Sequence, residues 1–120
     1  MDNTYQIAVA SSDGIVVNQH FGHAVTFYIY HVKENVLCEG RMVRQMKAVC
    51  HTGDHDDNQL RENMKKLQDC KYLLVSRIGY GAAMQAEQLG IIPVELPGGI
   101  EESIQKVISY AQVQNLFERN

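Results

Sequence analysis

The run Val25-Thr26-Phe27-Tyr28-Ile29-Tyr30-His31-Val32, then Lys33-Glu34-Asn35, then Val36 to about Gln45, decides how this chain is read. Its first part is β-branched and aromatic, the composition that suits a pleated, half-buried surface. The short polar Lys33-Glu34-Asn35 reads as a hairpin turn, so the stretch from Val36 to Gln45 is expected to run back beside the first strand. Upstream, Tyr5-Gln6-Ile7-Ala8-Val9-Ala10 alternates loosely and stops at the turn cluster Ser11-Ser12-Asp13-Gly14. Ile15-Val16-Val17 amounts to a short extended stretch. The first half thus predicts a three-stranded antiparallel meander.

The second half changes period. Leu60, Met64 and Leu67 recur at helical spacing behind a polar stretch in which Asp56 or Asp57 can cap the helix. Tyr72-Leu73-Leu74-Val75 is a short apolar run of the kind buried in a parallel sheet. Ala82, Ala83, Ala86 and Leu89 predict a second helix stopped at Gly90. Ile91-Ile92-Pro93-Val94 is a further strand, and its proline places it at or near a sheet edge. After Pro97-Gly98-Gly99, the residues Ile104, Val107, Ile108 and Ala111 define a last helix, with a mostly polar tail from Gln112 onward. The order is α/β: a mixed five-stranded sheet, antiparallel meander then parallel strands, with three helices in one domain spanning 1–120. That is the layout of the ribonuclease H-like fold.

Composition narrows the function. With 120 residues, 45% hydrophobic, 21% charged and a net charge of −3, the chain has the balance of an ordinary soluble domain. Nucleic-acid binding is not expected, because it draws on a basic patch or a high pI. No apolar run approaches the ~20 residues that cross a bilayer. Met1-Asp2-Asn3-Thr4 lacks the pattern of a secretory signal, so a cytoplasmic location is expected. Cys38, Cys50 and Cys70 are an odd, widely spaced set and not a disulfide framework. Cys38 and Cys70 read as small buried thiols.

The chemistry concentrates in two segments. Asn18-Gln19-His20-Phe21-Gly22-His23-Ala24 places two imidazoles around a Phe-Gly pair, just before a strand. Histidine is the commonest protein ligand for transition metals, so His20 and His23 are metal-ligand candidates. Cys50-His51-Thr52-Gly53-Asp54-His55 offers a thiol and two more imidazoles in what reads as a loop. Such N and S donors suit iron–sulfur species, zinc or copper rather than magnesium or calcium. Arg44 and Lys47 could help hold an anion, and Gly79-Tyr80-Gly81 opens a helix whose free N–H groups attract one. No catalytic constellation is present. The first strand's interior, Ile7-Ala8-Val9-Ala10, carries no acid of the kind that a two-metal nuclease needs.

Ile7-Ala8-Val9-Ala10-Ser11-Ser12-Asp13-Gly14, the His20-Phe21-Gly22-His23-Ala24 phrase and Phe27-Tyr28-Ile29-Tyr30 together resemble the dinitrogenase iron-molybdenum cofactor biosynthesis family. Asp69-Cys70, Ile78-Gly79 and Gly90-Ile91 extend the resemblance, in order, over nearly the whole chain. The family includes NifX-like carriers and the C-terminal domain of NifB-like proteins. The resemblance implies a small non-catalytic protein that transiently binds an iron–sulfur or iron–molybdenum cluster and exchanges it with donating and accepting assembly proteins. His20 and His23 are then the first candidates for contact, with Cys50, His51 and Arg44 secondary. A monomer or weak homodimer is expected, without nucleic-acid or membrane partners. Two other readings stay open: a zinc-binding or redox-sensing module using Cys50, His51 and a loop histidine, and a metal-free interaction domain.

Overall fold

A computed structural model describes residues 3–51 and 54–118, with the side chains of residues 51, 54, 55 and 118 left aside. The elements in chain order are β1 (Thr4–Ala10), β2 (Val16–Val17), a 3-10 turn (Phe21–His23), β3 (Thr26–Lys33), β4 (Val36–Leu37) and β5 (Met42–Gln45). Then follow β6 (Cys50–His51), β7 (Asp54–His55), α1 (Asp57–Lys66), β8 (Tyr72–Val75), α2 (Tyr80–Gln88), β9 (Ile92–Glu95), β10 (Gly98–Gly99) and α3 (Ile100–Glu118). No described helix is long and apolar enough to cross a membrane.

The main sheet runs β4-β3-β1-β8-β9, with β5 also paired to β3. β1 and β3 are antiparallel, with Ile7 opposite Tyr30. β1, β8 and β9 are parallel, with Ala8 opposite Leu73 and Leu73 opposite Pro93. The meander and the parallel half therefore meet on β1, and Pro93 lies on an end strand as its missing N–H requires.

The strand expected from Val36 to Gln45 is broken in two, which makes the sheet six-stranded rather than five. Val32 pairs with Leu37, but Ile29 pairs with Met42, so the residues between them bulge out. Gly40 turns that bulge at φ +85°, a conformation that L side chains rarely adopt. Arg41 pins it: the guanidinium donates to Gly14 O at 2.6 Å and Tyr30 Oη at 2.8 Å, and lies 4.3 Å from the Tyr28 ring centroid. Cys38 falls in the bulge and is half-buried, not a strand-core thiol. Glu34 and Asn35 both have positive φ, as a two-residue hairpin turn between right-twisted strands demands.

Alternation along the strands divides the core into two faces. Ala8, Ala10, Phe27, Ile29, Leu73 and Val75 pack with the helices α1 and α2. Ile7, Val9, Tyr30, Val32, Tyr72 and Leu74 pack instead under α3, through Ile104, Val107, Ile108 and Ala111. β8 is central and covered on both sides, so all four of its residues are apolar and buried. Asp56 caps α1 by accepting from the N–H groups of Asn58 and Gln59 at 3.0 and 3.1 Å. The short extended stretch at Val16–Val17 pairs with Gly98–Gly99, and the segment read as a loop from Cys50 forms a small hairpin, Cys50–His51 with Asp54–His55. The polar tail continues α3 to Glu118.

Candidate functional site

The histidine phrase is built around one apolar anchor. Phe21 is buried, with its ring centroid 5.9 Å from that of Phe27. The two residues that flank the Phe-Gly pair, His20 and His23, both remain exposed. The turn closes on itself, since the N–H groups of His23 and Ala24 each donate to His20 O at 3.1 Å. It is also stitched to the chain leaving β8. Ser76 N–H donates to Gln19 O at 3.0 Å, Phe21 N–H donates to Arg77 O at 2.8 Å, and His20 and Arg77 form a parallel bridge. The two imidazoles therefore stand together at the carboxyl end of the central strand, with ring centroids 6.2 Å apart and planes tilted by 45°.

Between this turn, the β6 strand and the start of α2 lies an open cavity of about 450 Å³. His20, His23, Cys50, Arg77, Gly79 and Gly81 are among its lining residues, over an apolar floor that includes Phe21, Val49, Leu60 and Ala82. Cys50 is held against the turn so closely that a Cβ on Gly22 would lie 2.7 Å from its Sγ. That contact explains the glycine between the two histidines. Gly79 caps α2 without a side-chain acceptor, so the positive end of that helix faces the same space. Among the described residues no three His, Cys, Asp or Glu side chains converge to enclose a metal ion. The donors sit along a rim rather than around a cage.

Of the residues singled out in the sequence, His20, His23 and Cys50 share this cavity. The backbone of His51 pairs with Asp54 in the hairpin, while its side chain lies outside the described residues. Arg44 stands apart from the cavity. Its guanidinium grips Asp69 through both oxygens, at 2.8 and 2.7 Å, and donates to Lys66 O at 2.7 Å. It ties β5 to the turn before β8 and has no donor pointed at the rim. Lys47 is exposed and is likewise not a lining residue. Cys70 is a core thiol, as expected: burial, then the neighbouring Asp69 carboxylate, push it up to about 12, so it stays protonated at neutral pH. Arg77 was missed. The only sign of it in sequence was a cation between a buried strand and a glycine-led helix.

The Arg44–Asp69 clamp sets a pH dependence. Hydrogen bonds from Arg44 foremost, and from Gln6, hold the Asp69 carboxyl well below the usual carboxylate range, against the opposing effect of burial. A carboxylate depressed in the folded state contributes stability in full above its unfolded value and loses it as pH falls below about 4. Asp69 is half exposed, so Asp69→Asn is expected to cost only about 1 kcal/mol at neutral pH. The gap between variant and wild type in urea midpoint should narrow between pH 5 and pH 2.5. An equal gap at both ends would show that charge is not what the clamp supplies.

The sequence matches the family model described as dinitrogenase iron-molybdenum cofactor over residues 3–110, a span that contains the whole cavity. The chain belongs to the dinitrogenase iron-molybdenum cofactor family. It is 35% identical over 106 residues to the FeMo cofactor biosynthesis protein NifB of Frankia alni, covering 84% of this chain and 20% of that protein. The NifB of Azotobacter vinelandii is 33% identical over 89 residues, covering 72% of this chain and 18% of its own length. The NifB of Chlorobaculum tepidum is 30% identical over 115 residues, covering 93% and 26%. The chain thus spans about a fifth to a quarter of the length of these relatives. Among solved structures, the crystal structure of PH0822 superposes with a TM-score of 0.66 at 21% identity, over 87% of this chain and 90% of that one. The NMR structure of a putative NifB protein from Thermotoga gives 0.55 at 21% identity, over 83% and 84%. These two likenesses bear on the fold alone. The NifB relatives are named as FeMo cofactor biosynthesis proteins.

Proposed function

We propose that this domain is a non-catalytic carrier that transiently holds an iron–sulfur or iron–molybdenum cluster at the His20–His23 cavity and exchanges it with assembly proteins. The observation that carries this reading is the pair of exposed imidazoles on one turn, 6.2 Å apart, at the mouth of an open cavity of about 450 Å³. A cluster brings its own sulfides, so it needs few bonds from the protein. His20 and His23 supply nitrogen donors, Cys50 a sulfur donor, and the N–H groups at the start of α2 complement negative charge. A resident cluster would be expected to take four thiolates, and a rim with few donors favours release instead. The strand order, three antiparallel then two parallel about β1, is compatible with a ribonuclease H-like scaffold. In this reading that scaffold serves binding, since the β1 interior Ile7-Ala8-Val9-Ala10 carries no carboxylate. The same reading has the domain working in the cytoplasm as a monomer or weak homodimer.

The test is anaerobic incubation with a cluster source, followed by gel filtration and analysis of metal and acid-labile sulfide. Iron and sulfide are expected to elute with the protein, giving a coloured complex. Zinc without iron or sulfide would support a zinc module instead, and a chain indifferent to metals and chelators would support an interaction domain.

A further inference from the structure

We propose that Arg77 selects the cargo by charge, admitting anionic sulfide-bridged clusters and disfavouring bare metal cations; this rests on the carrier reading above. Three observations lead there. Arg77 lines the cavity, and its backbone is paired directly with His20, so the guanidinium and the imidazole spring from adjacent positions of one bridge. Its side chain makes no hydrogen bond or ion pair among the described residues. Arg41 and Arg44, by contrast, are committed to Tyr30 and Gly14 and to Asp69. Among the described residues no carboxylate lines the cavity. Glu95, which reaches the chain beside Arg77, is already accepting from Ile78 N–H at 2.9 Å.

A protein of net charge −3 thus presents, at this one opening, a guanidinium, two imidazoles, a thiol and no described acid. Clefts lined by one sign of charge focus their field and concentrate ligands of the opposite sign. Imidazoles and a thiol alone would accept a divalent cation readily. A guanidinium without a partner among the described residues, set beside them, penalises a cation and favours a cluster whose sulfides give it net negative charge. Arg77 is therefore a specificity residue, not a ligand, and removing it should affect anionic and cationic metal species in opposite directions.

The experiment uses two probes under anaerobic conditions: a synthetic thiolate-capped four-iron, four-sulfur cluster, which is a dianion, and Ni²⁺, which imidazoles bind as a cation. Arg77→Gln is expected to weaken the cluster about tenfold, the scale of one charge-assisted contact, and to flatten the salt dependence of its affinity. Binding of Ni²⁺ by the same variant should be tighter, and unchanged Ni²⁺ affinity would overturn the discrimination against cations. Arg77→Lys should retain most of the cluster affinity. Arg77→Gln with wild-type cluster affinity and salt dependence, while His20→Ala with His23→Ala loses the cluster, overturns the inference alone. An equal loss of both probes in Arg77→Gln also overturns it, because that is the mark of a structural role. A wild-type chain that takes Ni²⁺ but not the cluster overturns it as well. Retention of the cluster by the double histidine variant overturns the cavity as the binding site, and the role of Arg77 with it.

Discussion

Replacing His20 and His23 together with alanine is expected to lower the affinity for an iron–sulfur or iron–molybdenum cluster by more than about 100-fold. The figure follows from metal sites in which loss of a mere supporting partner already costs about 10- to 100-fold. Both imidazoles are exposed, and the backbone bonds of the turn, His23 N–H and Ala24 N–H to His20 O, need no side chain. Stability should therefore stay within about 0.5 kcal/mol of wild type, as for surface substitutions elsewhere. That separation of binding from folding makes the result informative. Anaerobic titration followed by absorbance, with thermal unfolding alongside, measures both. Wild-type affinity in the double variant would remove the two rings from the site.

Phe21→Ala is expected to have the opposite profile: a loss of about 3–4 kcal/mol in stability, with weakened cluster binding as a consequence. Phe21 is among the largest fully buried side chains, packed on Phe27 in the core layer beneath α1 and α2. Its removal leaves a cavity under the turn that presents both histidines, and alanine cannot fill it. Phe21→Leu keeps most of the volume and should cost less than about 1.5 kcal/mol. Urea unfolding of the two variants checks the order. A cost below about 1 kcal/mol for Phe21→Ala would show that the backbone bonds to Arg77 hold the turn without the ring.

Much of this protein is legible in its residues because the relevant interactions are local. The period of two in Ile7-Ala8-Val9-Ala10 assigns its side chains to the two faces, and the spacing of Leu60, Met64 and Leu67 does the same for α1. Glu34-Asn35 marks its hairpin through the turn conformation it accepts. Local rules fail where the deciding contact is distant. The break at Gly40 is stabilised by Arg41 reaching Gly14 and Tyr28, which the pattern of Val36 to Gln45 does not encode. Arg44, assigned to anion binding by its charge, is instead held by Asp69 from the far side of α1.

The site divides along the same line. His20-Phe21-Gly22-His23 carries two imidazoles and its own turn, so the primary structure alone singles it out as the candidate for which metal binding is proposed. Its companions are another matter. Cys50 comes within van der Waals reach of Gly22, and Arg77 is bridged to His20, only because β6 and the end of β8 converge on the turn in space. Whether an arginine is available to a ligand depends on which carboxylates and carbonyls the folded chain brings to it. Arg44 is held by Asp69, whereas Arg77 has no side-chain partner among the described residues and lines the cavity.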